Sequence, residues 1–202
     1  MQVADLNCPG CNAALSASTR ECPYCGRSIV INSFNMIAAC TAGELRTNIN
    51  AFQSGLAVQP NDCALNLSTA FCFLKLKLYD NALGYFEKAI EDNIINSEAY
   101  FYYALAMLKG NKAFTTPKKD IDKAISLTNA AIALEPRGIY HYFLAYLKYD
   151  FYERKCLNIK PGYAAELEES RRNNICNGDI ASIFEILDRE VPEAIALGDL
   201  AE

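Results

Sequence analysis

One histidine, His141, is all that this 202-residue chain possesses. The chain has no HExxH helix, no GxSxG elbow and no Gly-rich phosphate loop. A Cys–His pair joining His141 to Cys156 or Cys176 is the nucleophilic arrangement that remains, and nothing in the local sequence favours it. A lone imidazole on an apolar helix is more often packed or hydrogen-bonded than catalytic. The expectation is a non-enzymatic protein. A long hydrophobic run is missing too, which argues against a membrane span. The opening residues MQVADLNC carry neither the basic nor the apolar region of a secretory leader, so the expected location is the cytoplasm. Basic charge is scarce as well. The formal net charge is −5, and the stretch from Glu166 to Glu202 holds ten Asp and Glu against three Arg. That balance argues against broad binding to a phosphate backbone, which depends on clustered Lys and Arg. Apolar residues make up 51% and charged ones 21%, a globular rather than a disordered composition.

Cysteine is what the chain has in quantity. There are nine, an odd number, and five of them (Cys40, Cys63, Cys72, Cys156, Cys176) stand singly. Such spacing suits a reducing compartment, where single thiols stay free and paired ones bind metal. The other four form Cys8-x2-Cys11 and Cys22-x2-Cys25 within NCPGCNAALSASTRECPYCG. Two thiolates two residues apart can point from one tight turn at a single ion. Two such turns give the four soft ligands that tetrahedral zinc prefers. Asn12 and Gly26 follow the pairs where a tight knuckle needs a residue tolerant of positive φ. Pro9 and Pro23 stiffen both turns at the same place. Residues 6–31 thus resemble the zinc-ribbon family, with Asn12 standing where the family usually has Gly. The resemblance implies one structural Zn2+ held by Cys8, Cys11, Cys22 and Cys25. A thioredoxin-like redox role would need only one pair and a βαβ setting, which is missing. Ribbon members bind nucleic acid or protein. Asp5, Glu21, Arg20 and Arg27 balance in charge here, which favours protein.

Beyond Ile31 the composition turns to helix formers. Asn48, Phe52, Gly55 and Pro60 recur thirty-four residues on as Ala82, Phe86, Ala89 and Ile94. Forty-two further on stand Ala124, Thr128, Ala131 and Pro136, the eight extra residues falling within Gly110 to Lys119. This spacing resembles the tetratricopeptide repeat, and the likeness covers most of residues 33–150. In the best unit Ala70, Ala82 and Ala89 let two helices approach closely, and Phe73, Tyr79 and Phe86 fill the space between them. Pro60 and Pro136 end helices and launch the next unit. The first unit has only a short leading helix, around Phe34 to Cys40. The fourth begins at Ile139 to Tyr152 with no clear repeat-type second helix after Lys155.

The expected fold is mostly α, a tetratricopeptide-like α-solenoid of helical hairpins behind a small N-terminal β zinc ribbon. Its divisions are a ribbon at 1–31, repeats at 32–160 and a helical cap at 161–202. The cap is read as two helices. One runs from about Tyr163 to Cys176, and one is capped by Asp179 and striped by Ile180, Ile183, Phe184, Leu187, Val191 and Ile195. Pro192 should kink or restart the second helix, and the cap's acidic residues should face water.

The repeat resemblance implies a protein or peptide partner in a concave groove. First-helix positions place Leu67, Phe71, Leu74 and Lys75 beside Phe101, Leu105, Leu108 and Lys109. An apolar groove suits an amphipathic helix or hydrophobic peptide. Burial of the same side chains in the core is the equal alternative. The segment Tyr140 to Tyr152, apolar nearly all round, points to a helix covered on several sides. The leading functional expectation is an adaptor. A nucleic-acid-linked regulator and a redox or zinc sensor are the alternatives.

Overall fold

The computed structural model describes residues 6–16, 19–91 and 95–197. Asp5 and Ile94, both used above, lie outside the described residues. The chain divides into two compact units, Met1–Ile94 and Ile95–Glu202, and is mostly helical with very little strand.

The first unit begins with β1 (Leu6–Asn7) and β2 (Ala14–Leu15), paired antiparallel with Leu6 opposite Leu15. A second, smaller loop closes through a bridge between Glu21 and Ser28. A 3-10 turn at Phe34–Ile37 stands where a short leading helix was expected. Helix α1 (Ala42–Val58) starts at a reciprocal cap: the Thr41 hydroxyl accepts from the Glu44 amide while the Glu44 carboxylate accepts from the Thr41 amide. Helix α2 (Cys63–Lys75) is capped by Asp62, whose Oδ1 accepts from Leu65 N at 2.9 Å. Lys77 then takes a positive φ of 58°. The Leu78 amide returns to the Phe73 carbonyl at 2.9 Å, which turns the chain into α3 (Tyr79–Ile90). Ala70, Ala82 and Ala89 are wholly buried where α2 meets α3, so the small-residue pattern does bring two helices together. Between them, Phe71 meets Phe86 edge-on with centroids 5.8 Å apart.

The second unit holds α4 (Ser97–Met107), α5 (Lys118–Leu134), α6 (Gly138–Leu147), α7 (Tyr163–Arg172) and α8 (Asn177–Leu187). Helix α4 pairs with α5, and α6 with α7. The inserted stretch is pinned to the end of α6: Ala113 N donates to Tyr146 OH at 3.3 Å and Phe114 N to Asp150 Oδ2 at 2.7 Å. Helix α6 continues into a wide π turn at Lys148–Tyr152. Tyr140, Tyr142, Phe143 and Tyr146 are all buried, as an all-round apolar helix requires.

Three expectations about the C-terminal region change. Residues 163–172 pack along α6 as the second helix of a hairpin, so the fourth pair is complete, and among the described residues α8 packs beyond it, against α4 and α6. The long connection at 153–162 had hidden that pairing. Cys176, not Asp179, caps α8. The Cys176 thiol accepts from the Asp179 amide and the Asp179 carboxylate accepts from the Cys176 amide, so Asp179 is the third helical residue. Finally, α8 stops at Leu187, where Asp188 turns left-handed at φ 57°. Pro192 leads only a 3-10 turn at Glu193–Ile195.

Candidate metal centre

The two cysteine pairs lie on turns of the same construction. Asn12 N donates to Cys8 O and Gly26 N to Cys22 O, each at 2.9 Å. Just beyond, Cys8 N donates to Ala13 O and Cys22 N to Arg27 O. Asn12 and Gly26 carry positive φ of 59° and 68°, the left-handed residues that these knuckles need. The matched turns bring together four sulfurs that their spacing in the chain had singled out. Cys8, Cys11, Cys22 and Cys25 present ligand atoms within 4.8 Å of one another. Cys8 Sγ stands 3.6 Å from Cys25 Sγ, and Cys11 Sγ 3.6 Å from Cys22 Sγ. These separations fit four ligands around one ion at Zn–S bonds of about 2.3 Å.

The electrostatics are those of thiols sharing one small space. Burial pushes the Cys8 thiol up, but backbone donors at Cys11 and Gly10 together with the Cys22 and Cys25 thiols outweigh it, and its pKa falls to about 6. The Arg27 backbone pulls Cys25 down. Burial and the neighbouring thiols Cys8, Cys22 and Cys11 push it further up, to about 12. A cation in the centre would reverse that repulsion. Cys8 and Cys22 face inward and are buried, while Cys11 and Cys25 are exposed. No ligand position is left over for water or substrate, so the centre suits structure rather than catalysis.

The inward face continues into the helical part of the first unit. Cys8, Cys22, Leu15, Ile29 and Ala51 form one buried apolar cluster, and Ala51 belongs to α1. Ile31 N donates to Ser68 Oγ of α2 at 2.7 Å, and Arg20 Nη2 meets Asp62 Oδ2 at 2.7 Å. Sequence patterning missed Ala51, Asp62 and Ser68 as partners of this segment, because no periodicity links residues forty apart.

Of the eight groove candidates, the six apolar ones are buried. Leu67, Phe71, Leu74, Phe101, Leu105 and Leu108 are all 2% exposed or less. Phe71 packs edge-on against Phe34, and Phe101 lies against Tyr140 at 4.7 Å. Only Lys75, half-buried, and Lys109, exposed, reach solvent. His141 does not pair with a cysteine: its Nδ1 lies 2.9 Å from Glu166 Oε2.

The sequence matches no family model and no curated protein. Among solved structures, the chain is similar to one described as "MamA RS-1 ArsTM double mutant". The two share 21% identity over 69% of this chain and 71% of that one, with a TM-score of 0.53. A second, "MamA 41-end from Desulfovibrio magneticus RS-1", is 19% identical over 76% and 72%, with a TM-score of 0.47. The first likeness shows the fold, a mostly helical tetratricopeptide-like architecture.

Proposed function

We propose that this chain is a cytoplasmic, non-catalytic scaffold for protein partners, with a zinc ribbon at its N-terminus folded around one Zn2+. The observation that carries the metal half is the convergence of four sulfurs from two matched turns, within 4.8 Å of one another. Zinc is favoured over other cations because four thiolates in a closed set suit a borderline-soft, redox-inert ion. The scaffold half rests on helical hairpins of tetratricopeptide type, an architecture that presents extended surfaces rather than catalytic pockets. Of the eight groove candidates, Lys75 and Lys109 reach solvent and are the ones proposed to meet a partner.

The test has two parts on the full chain. Elemental analysis of protein purified without chelator should give one zinc per chain, reduced to background in Cys8→Ser/Cys22→Ser. Affinity capture should then return a protein at constant stoichiometry. Nucleic acid retained in place of protein, and lost in the cysteine variant, would instead favour the regulator alternative.

A further inference from the structure

Resting on the zinc reading above, we propose that the cysteine module is a metal-dependent N-terminal cap of its own helical unit, its apolar face being spent on α1 and α2 rather than offered to a partner. A stack of helical pairs leaves an apolar face at its end that something must cover. In this unit the leading helix of the first pair is reduced to the turn at Phe34–Ile37. Here β1 lies against α1.

Three contacts of different kinds define the seat. The apolar one is the cluster of Cys8, Leu15, Cys22 and Ile29 on Ala51 of α1. The second is a buried hydrogen bond, Ile31 N to Ser68 Oγ at 2.7 Å, with that hydroxyl anchored on α2 by donating to Ala64 O at 2.6 Å. The third is ionic and sits on a helix cap. Asp62 uses Oδ1 to cap α2 and Oδ2 to receive Arg20, at 2.7 Å. Arg20 is half exposed, so that pair contributes orientation more than stability.

Two of the five residues in the apolar cluster are themselves metal-site cysteines. The seat and the centre are therefore one structure. A segment of this size has too little core to hold its shape unaided, and metal binding supplies its folding free energy. Losing the ion should free the module, uncover Ala51, and part Asp62 from Arg20 and Ser68 from Ile31. The metal would then set how firmly the first helical pair is held.

Amide hydrogen exchange on the full chain, zinc-loaded and chelator-treated, tests this alongside zinc content. The expected result is that stripping speeds exchange by about tenfold or more in α1 and the first turns of α2, as well as in residues 20–31. A second protein, Arg20→Met/Ser68→Ala, leaves every cysteine in place. It should still hold one zinc per chain and speed exchange in the first turns of α2, while α1, seated by the untouched apolar cluster, exchanges as in the loaded protein. Unchanged exchange in α2 would overturn the two polar contacts as part of the seat. If zinc content falls from one to zero while α1 and α2 exchange unchanged, the cap is overturned and the zinc site stands. A chain that never binds zinc sinks the metal reading and the cap together.

Discussion

At Glu166 one buried carboxylate meets both a lysine and a histidine. Its Oε1 receives Lys148 Nζ at 2.6 Å and its Oε2 lies 2.9 Å from His141 Nδ1. The Lys148 and Glu166 side chains are 6% and 8% exposed. This was not legible in the sequence, where Glu166 reads as one more member of an acidic, solvated face. The pairing depends on α7 lying along α6, which the linker between them conceals. Glu166→Leu strands the Lys148 ammonium in the interior and should cost roughly 3–5 kcal/mol in urea unfolding. Adding Lys148→Met should recover most of that loss, because the uncompensated charge does the damage. Gly138 is a second residue whose role emerges only in three dimensions. A Cβ there would come within 2.6 Å of Ile175 N and 2.7 Å of Ser170 O, while Gly138 N donates to Asn173 O at 3.0 Å. Gly138→Ala should therefore destabilise by about 1–3 kcal/mol, read as a lowered Tm. By contrast, Asn12 and Gly26 were legible: each follows a Cys-Pro-x-Cys pair, and a left-handed residue is a local need that residue type answers.

Helices were legible where period and punctuation agree. Pro60 and Pro136 fall just past the ends of α1 and α5, and the alanine spacing found the contact between α2 and α3. Legibility failed at α8, whose cap is a thiol that sequence rules rank below the nearby Asp179. It failed again at the end of α8, where Asp188 terminates the helix before Pro192 can act. Helix α1 supplies an element-scale prediction with a definite sign in pH. The Glu44 carboxyl is held below its ordinary value, first by the Thr41 amide and then by the Thr41 hydroxyl. A depressed carboxyl stabilises the folded state above its unfolded pKa, and that contribution is lost as pH falls through the folded value. The helix start should therefore loosen as pH drops below the usual carboxylate range. Glu44→Gln should flatten that acid-side dependence while keeping the cap's geometry. Amide exchange at residues 42–46 between pH 3 and 6 would show it, and an identical pH profile in both proteins would count against the cap's ionic character.

The mostly helical fold and the cysteine cluster were both written in spacings, thirty-four residues for one and two residues for the other. Spacing survives where composition says little. Which faces stay open was not written there: the apolar first-helix positions that line a groove in a long array are here buried. The same scale bears on whether protein or nucleic acid is the partner. The chain's formal net charge of −5 counts its thiols as neutral. Four thiolates around a dication carry a net charge of −2, so loading the site makes the molecule more acidic, to about −7. That extra negative charge sits in the module where the described charges Glu21, Arg20 and Arg27 otherwise nearly cancel, and Arg20 is already engaged by Asp62. A phosphate backbone approaching this segment would meet repulsion and few free cations. Zinc-loaded protein titrated into a labelled DNA or RNA oligonucleotide at about 50 mM salt, where backbone contacts are strongest, should give no saturable rise in fluorescence anisotropy. A saturable rise that weakens steeply with added salt would show a basic surface at work, and the protein-scaffold reading would have to yield to it.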